Sequence, residues 1–204
     1  MKLNLLGIID ILFPRSADER LLEDCTVEQF LSKYDPHTMK DICALSSFAD
    51  AEIRAALHLN KFHNHPKAQE LLAGLLALWL CSLSSEGYVL VPLPLSSKRE
   101  RERGYNQVTV IAQKALRSNS QIKLVTNLLI KNKHTPAQTT LTKAQRHSNV
   151  ENVFTVHAHG NVPDKTMPLV LLDDVTTTGA TLFNAKKSLR KAGYTKVICV
   201  ALAH

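Results

Sequence analysis

The chain has 204 residues, of which 25 are lysine or arginine and 18 are acidic, so its formal net charge is +7. This length fits one α/β domain with a modest appendage, and the charge favours anionic partners such as phosphates, nucleotides or nucleic acid without choosing among them. The four cysteines are far apart and form no C-x-x-C pair, which excludes a zinc ribbon of the usual spacing and a dense disulfide scaffold. We expect reduced, mostly buried thiols.

Residues 1–66 are predicted to form an N-terminal region of helical and irregular segments, which ends at Pro66 after a polar, histidine-rich stretch. Asp10 interrupts the apolar run at 1–14 and no small-residue cleavage site follows, so this run predicts an amphipathic helix rather than a signal peptide. The apolar run at 71–83 is shorter than the roughly 20 residues of a membrane span and predicts a buried helix. We therefore expect a cytoplasmic protein with no transmembrane segment.

Residues 67–204 are predicted to form a larger domain in which strands alternate with helices. The predicted elements, in chain order, are a helix through residue 82, a strand at 88–94, a basic loop at 96–104, a helix at 105–116, a strand at 122–130, an exposed polar arm at 131–152, a short strand at 153–157, a strand at 169–175, a helix at 176–193 and a strand at 195–203. This order predicts a mostly parallel central sheet flanked by helices, with ligand binding at the carboxyl ends of the strands.

The segment LVLLDDVTTTGAT at 169–181 carries the strongest functional signal. An apolar strand ends in two adjacent acids, Asp173 and Asp174, and a threonine-rich turn with Gly179 then opens a helix. The unpaired amide groups of a helix N-terminus favour a phosphate there, and threonine hydroxyls can donate further hydrogen bonds to it. The alternative is a buried strand whose acids and threonines only cap the next helix. The order of acids, threonines and glycine after an apolar strand favours the phosphate site.

This segment resembles the phosphoribosyl pyrophosphate loop of type I phosphoribosyltransferases. The resemblance implies an α/β fold of the type I phosphoribosyltransferase kind, with a mostly parallel central sheet flanked by helices and a small hood or arm. It implies that Asp173 and Asp174 are the catalytic acids, which accept hydrogen bonds from the two ribose hydroxyls and reach a Mg²⁺ cofactor through water. The residues implied to bind the 5′-phosphate are Thr176, Thr177, Thr178, Gly179, Ala180 and Thr181.

Three further segments resemble the ComF family of competence-associated, phosphoribosyltransferase-like proteins. The first, VPLPLSSKRERERGYNQ at 91–107, is similar to that family's strand, proline-rich turn and R-G-[YF]-N-Q segment. Arg99 and Arg103 follow the strand, where guanidinium groups can bind a pyrophosphate through paired hydrogen bonds, and Gly104 eases the turn into the next helix. A solvated basic loop is the alternative.

The second segment, at 128–154, is similar to the family's L-x-R-x-x-x-T-x-x-Q pattern followed by R-x-x-N-V and a phenylalanine, although Lys131 stands where the family often has arginine. The matching residues are Thr135, Gln138, Leu141, Arg146, Asn149, Val150 and Phe154. The resemblance implies an arm that closes over the ligand, with Arg146 reaching the phosphates. An ordinary flexible loop is the alternative.

The third segment, FADAEIRAALHLNKFHN at 48–64, resembles the family's lead-in to a lysine-containing segment. Lys61 is therefore a candidate pyrophosphate contact, with a surface lysine as the alternative. Many relatives also carry an N-terminal zinc ribbon with paired cysteines. A closed structural zinc site needs four ligands. Here only Cys25 and Cys43 are present in that region, so we expect a zinc-free remnant. The alternative is a metal held by these two cysteines with histidines drawn from His58, His63 or His65.

The resemblance implies a ComF-like protein that binds phosphoribosyl pyrophosphate with Mg²⁺ and acts in natural competence and DNA uptake. Single-stranded DNA and proteins of the competence machinery are then expected partners. An active phosphoribosyltransferase that transfers ribose 5-phosphate to a nucleobase-like acceptor is one alternative, and a non-catalytic ligand-sensing adaptor is another. No base-recognition residues are identified, since Trp79 is expected in the core and few aromatic residues are available for base stacking.

Overall fold

The computed structural model describes residues 15–83, 87–117, 119, 121–132, 153–157 and 162–204. The predicted helix at 1–14 and residues 133–152 of the predicted arm, which include Arg146, lie outside them. The described helices are α1 (Ala17–Asp24), α2 (Val27–Leu31), α3 (Ala51–His63), α4 (Pro66–Cys81), α5 (Ser97–Arg103), α6 (Gln107–Ala115) and α7 (Ala180–Lys191). The described strands are β1 (His37–Met39), β2 (Ile42–Ala44), β3 (Val89–Pro92), β4 (Lys123–Leu124), β5 (Leu129–Lys131), β6 (Phe154–Val156), β7 (Leu169–Val175) and β8 (Val197–Ala203).

Six strands form one sheet in the order β1-β2-β8-β7-β3-β4, and only β1 and β2 pair antiparallel within it. The chain leaves β3 towards β4 on one side and leaves β7 towards β8 on the other. The strand order therefore reverses between β3 and β7, and sheets of this kind bind ligands in the crevice at the carboxyl ends of such strands. The predicted α/β architecture with a mostly parallel central sheet is confirmed.

Alternate residues of the central strands face two apolar cores, one on each side of the sheet. Leu90 and Val170 belong to the core that also includes residues of α1, α2, α3, α4 and α6. Val91 and Leu171 belong to the core that includes residues of α7 and of the ribbon formed by β5 and β6. Helix α4 packs on α3 and α6 and buries Trp79, as predicted. Among the described residues, no helix combines the length and apolarity that crossing a membrane requires.

The predicted basic loop at 96–104 is wrong, because its central residues form helix α5. The Ser96 hydroxyl accepts a hydrogen bond from the Arg99 amide at the start, and Gly104, with a φ of 73°, ends the helix. Lysine, arginine and glutamate are good helix formers, and Lys98 lies 3.8 Å from Glu102 one turn later. The high charge of this segment marks a solvated helix rather than a loop.

The predicted strand at 122–130 is wrong in its extent. Its first part is β4, which pairs with β3, and its last part is β5, which pairs with β6 in the separate ribbon. Thr126 and Asn127 are exposed between the buried residues Val125 and Leu128. The chain therefore turns at these two polar residues and passes from one sheet to the other, although apolar residues on both sides suggest one continuous strand.

The described residues before Pro66 pack against the rest of the chain. Strand β2 pairs parallel with β8, and helices α3 and α4, which meet at the predicted boundary, pack on each other. The division into a region at 1–66 and a domain at 67–204 stays a prediction.

Gly179 precedes α7 with a φ of 79° and leaves no room for a side chain. A Cβ atom there would lie 2.5 Å from Ile42 Cδ1 and 2.8 Å from a ring carbon of Phe183. Gly104 has a similar φ of 73°, but nothing lies within 4 Å of the place its Cβ would take. Both positions need a left-handed backbone, and packing requires glycine only at Gly179.

Gly179→Ala should therefore reduce the free energy of unfolding more than Gly104→Ala does. Both variants carry the backbone strain of about 1–2 kcal/mol, and only Gly179→Ala adds an overpacking cost of about 1–3 kcal/mol. Denaturant unfolding followed by circular dichroism measures both. Equal losses in this matched pair would contradict the close packing around Gly179.

Candidate functional site

A cleft of about 390 Å³ opens at the carboxyl ends of β3 and β7. Its walls come from α3, the turn after β3, helices α5 and α6, strand β5 and the start of α7. The residues assigned from the sequence that line it are Lys61, Arg99, Arg103, Asp173, Asp174 and Thr181. The fold thus gathers acids and cations from distant parts of the chain in one cavity.

Hydrogen bonds hold Asp173 and Asp174 at the end of β7. The Asp174 amide donates to Asp173 Oδ1 (2.9 Å), and the Val175 amide donates to Asp174 Oδ1 (2.8 Å). Gln107 Nε2 donates to Asp174 Oδ2 (2.9 Å), and Arg103 Nη1 donates to Gln107 Oε1 (2.9 Å). Because Gln107 is only 4% exposed, a buried amide links the acid pair to the basic helix α5.

Two negative charges on Asp173 and Asp174 together are unfavourable in this cleft. Burial raises the pKa of Asp173 to about 7, and the negative charge of Asp174 adds to the rise. Lys131 lines the same cleft from β5, and its positive charge opposes the rise. Burial also lowers the pKa of Lys131, while the charge of Asp173 opposes that change. A cation that binds here replaces the proton and relieves the repulsion.

The acid pair offers donors that suit Mg²⁺ together with a ligand. Ionised carboxylates only accept hydrogen bonds, and proteins bind Mg²⁺ through one or two of them plus waters and substrate phosphates. Among the residues that the structure describes, no group of three or more His, Cys, Asp or Glu side chains is placed to hold a metal. Two adjacent carboxylates in a cleft that cations also line are a donor set that fits a Mg²⁺ bound jointly with an anionic ligand.

The threonine-rich turn joins β7 to α7. Thr176 is 5% exposed and its amide donates to the Ala203 carbonyl at 3.0 Å, so this residue closes the end of the sheet. The exposed residues of the turn and first helical positions are Thr177, Thr178, Ala180 and Thr181. Together with the amide groups at the start of a 12-residue helix, they form a surface that a phosphate can reach.

The cations assigned to pyrophosphate binding lie together at the cleft, except that Arg146 lies outside the described residues. Lys61 comes from α3, and Arg99 and Arg103 come from α5. Within the described part of the chain these three side chains form no ion pair.

The cysteines and histidines considered for a metal are spread over the N-terminal region. His58 Nδ1 lies 2.7 Å from Asp18 Oδ2, which ties α3 to α1. All four thiols are free, but Cys81 is exposed at the end of α4, contrary to the expectation of burial, and Cys43 is only half-buried. Cys25 and Cys199 are buried, and burial raises the pKa of both thiols.

The chain is similar to two curated competence proteins. It is 36% identical over 115 residues to Competence protein F of Haemophilus influenzae, and the matched stretch covers 56% of this chain and 49% of that protein. It is 33% identical over 106 residues to Competence protein ComFC of Bacillus subtilis, and the matched stretch covers 52% of this chain and 40% of that protein. The resemblance to the ComF family is confirmed. The chain spans about half the length, or less, of these relatives, and no family model matches it.

The cleft of this ComF-like chain is also lined by residues that are not assigned from the sequence, among them Gln107, Lys131, Phe48 and Phe62. Gln107 ends the R-G-Y-N-Q segment, and Lys131 takes the place of a family arginine, so both carry a sequence signal. Phe48 and Phe62 line the cleft and are 41% and 60% exposed. Phe62 directly follows Lys61, whereas nothing in the sequence distinguishes Phe48 from a core residue.

Asp173→Asn should raise the thermal stability of the chain at pH 8 without Mg²⁺. Since the pKa of Asp173 is raised in the folded state, the folded chain binds more protons than the unfolded chain between about pH 4 and 7, and stability falls as the pH rises through that window. The gain should be a few degrees, as 1 kcal/mol corresponds to roughly 2–4 °C at this size, and should shrink towards pH 5. Calorimetric melting at both pH values measures it.

The control for this prediction is Asp164→Asn. The Thr166 amide and hydroxyl donate to Asp164 Oδ1 and lower the pKa of this exposed acid, so its replacement should bring no gain at pH 8. A lower melting temperature of Asp173→Asn than of the parent at pH 8 would contradict the burial of an unfavourable charge in the cleft.

Proposed function

We propose that this chain is a cytoplasmic protein that binds phosphoribosyl pyrophosphate with Mg²⁺ in the cleft between β3 and β7 and acts in natural competence. The observation that carries the proposal is the meeting of an acid pair, three cations and a threonine-rich helix start where the strand order reverses. A ligand with ribose hydroxyls, a 5′-phosphate and a pyrophosphate matches these three groups. The two relatives named as competence proteins support the cellular role.

The phosphate groups would be divided between the start of α7 and the cations of α3 and α5. The 5′-phosphate would lie on the turn from Thr177 to Thr181, and the pyrophosphate would face Lys61, Arg99 and Arg103. Hydrogen bonds to charged groups contribute about 1.5–3 kcal/mol each, whereas the dipole of α7 adds about 0.3–1 kcal/mol. Direct hydrogen bonds from hydroxyls and guanidinium groups would therefore supply most of the affinity.

The acid pair would bind the ribose between these phosphates. Asp173 and Asp174 would accept hydrogen bonds from the ribose hydroxyls and reach Mg²⁺ through water. Mg²⁺, when bound, would neutralise negative charge on the pyrophosphate. Gln107 would keep Asp174 oriented, because its amide donates to Asp174 Oδ2 while Arg103 donates to its oxygen.

The type I phosphoribosyltransferase fold, with Arg146 on an arm over the ligand, is part of the same proposal. The ribbon of β5 and β6 supports it, because the Asn132 amide donates to the Val153 carbonyl at 2.9 Å and so brings both ends of residues 133–152 together. Lys131, next to this junction, lines the cleft. An arm that starts and ends here would be anchored beside the bound ligand.

Isothermal titration calorimetry with phosphoribosyl pyrophosphate, with and without Mg²⁺, tests the ligand. The parent should show saturable, Mg²⁺-dependent binding, and Asp173→Asn with Asp174→Asn should abolish it while circular dichroism shows an intact fold. Asp41→Asn, which changes an exposed acid outside the cleft, should bind as the parent does. Unchanged binding in the double variant would refute the site assignment, and a parent that does not bind would refute the ligand.

Two arginines of α5 provide a matched pair for the pyrophosphate contact. Arg99 lines the cleft, whereas Arg101 is an exposed residue of the same helix that does not. Arg99→Gln should weaken Mg²⁺-dependent binding roughly 10- to 100-fold, the loss expected for one charge-assisted contact, and Arg101→Gln should leave it within about twofold. Equal losses in the calorimetric titration would mean that net charge, not a defined contact, binds the ligand.

A further inference from the structure

Opposite charges are concentrated on two helical surfaces of the molecule. Residues 16–31, which include α1 and α2, contain five acidic residues and one basic residue. Residues 180–196, which include α7, contain five basic residues and no acidic residue. The buried side chains of α1 and α2 belong to the core on one side of the sheet, and those of α7 belong to the core on the other side. The sheet therefore separates the two surfaces, so they cannot contact each other within one molecule.

An exposed apolar side chain stands among the acids of α1 and α2. Val27 is 61% exposed, the highest value among the large apolar side chains in the described part of the chain. Asp24 and Glu28, close to it in sequence, are exposed and form no ion pair with another described residue. The other three acids of the segment bond to Ser16, His58 and Arg15 of the same molecule. Asp24, Val27 and Glu28 therefore form an acidic surface with an apolar centre.

Helix α7 contributes to a recess of about 470 Å³ that cations surround. Its lining residues are Asp41, Phe183, Lys186, Lys187, Arg190 and Lys191. The half-buried ring of Phe183 and the aliphatic stems of the basic side chains supply apolar contact area. Lys186 and Arg190 form no ion pair with another residue that the structure describes. This α7 recess therefore suits an apolar side chain that is flanked by acids.

Stabilisation of the helix itself explains only part of the charge on α7. Arg190 and Lys191 lie in the last turn, where cations interact favourably with the helix dipole. Lys186 and Lys187 lie four residues earlier, so they form two like-charge pairs with these cations at i, i+4 spacing. Such pairs destabilise a helix. The positions of Lys186 and Lys187 therefore favour contact with an acidic group of another molecule.

We infer that the acidic surface of one molecule binds the α7 recess of a second copy of this chain. Val27 would enter the recess beside the Phe183 ring. The two acids next to Val27 would face Lys186 and Arg190. Because the two surfaces differ, the contact is heterologous, and each copy in a pair keeps one unoccupied surface that can bind a further copy. The contact lies outside the cleft and does not depend on the proposed function.

The association should be weak and sensitive to salt. Exposed ion pairs contribute little to stability, and dissolved ions screen them. Sedimentation velocity at increasing protein concentration measures the association directly. At about 50 mM salt the average sedimentation coefficient of the parent should rise with concentration, and at about 500 mM salt the rise should largely disappear.

Two charge-reversal variants test which surfaces meet. The first, Asp24→Lys with Glu28→Lys, reverses the acidic surface. The second, Lys186→Glu with Arg190→Glu, reverses the α7 recess. Each variant alone should associate roughly tenfold more weakly than the parent or less, because like charges then face each other. In an equal mixture of the two, association should return, since every contact between unlike variants again joins opposite charges.

Two exposed apolar residues provide a matched pair for the apolar part of the contact. Val27→Asn should weaken association about tenfold, the factor expected when one valine no longer becomes buried. Leu78→Asn, at a position on α4 that is 43% exposed, should leave association within about twofold. Because every substituted side chain is at least partly exposed, the folds should stay intact, which thermal melts verify.

Three outcomes would overturn the inference. They are a parent that stays monomeric at every concentration, a mixture of the reversal variants that associates no better than each variant alone, and a loss in Leu78→Asn as large as that in Val27→Asn. A monomeric parent that binds polyaspartate or an oligonucleotide through Lys186 and Arg190 would assign the α7 recess to that polyanion instead.

Discussion

The parallel pairing of β3 with β7 is the constraint on which the cleft depends. Val89–Pro92 pairs in register with Leu169–Leu172, so the turn after β3 lies beside Asp173. Because the chain leaves these neighbouring strands in opposite directions, a crevice remains at their carboxyl ends instead of being closed by a crossover helix. The basic helix α5 and the threonine-rich turn reach the same crevice only through this pairing.

Arg103 connects the three parts of the site. Arg103 donates a hydrogen bond to Gln107, which in turn donates one to Asp174. Arg103 also lines the cleft, and its Cζ lies 5.6 Å from the centroid of the Phe62 ring. The buried Gln107 amide fixes the geometry, since an amide can donate to the carboxylate and accept from the guanidinium at once. Arg103 and Gln107 therefore connect the acid pair, the cations of the cleft and the ring of Phe62.

The most local patterns were the most predictable from the sequence. The apolar run ending in Asp173 and Asp174 predicts strand β7 correctly. The predicted helix at 176–193 begins four residues before α7, because residues 176–179 form the turn that precedes this helix. The segment at 96–104 misleads because charge density is shared by loops and by solvated helices. The turn at Thr126 and Asn127 is hidden by apolar residues on both sides, and which strand each half joins is decided by non-local pairing. The bond from Gln107 to Asp174 and the exposure of Phe48 depend on tertiary packing, which no local pattern contains.

A crystal structure of the chain with phosphoribosyl pyrophosphate and Mg²⁺ tests the central claim most directly. The account predicts the 5′-phosphate on the turn from Thr177 to Thr181, the ribose hydroxyls on Asp173 and Asp174, and the pyrophosphate beside Arg99. A ligand bound elsewhere, or one in this cleft that contacts neither acid, would contradict the account.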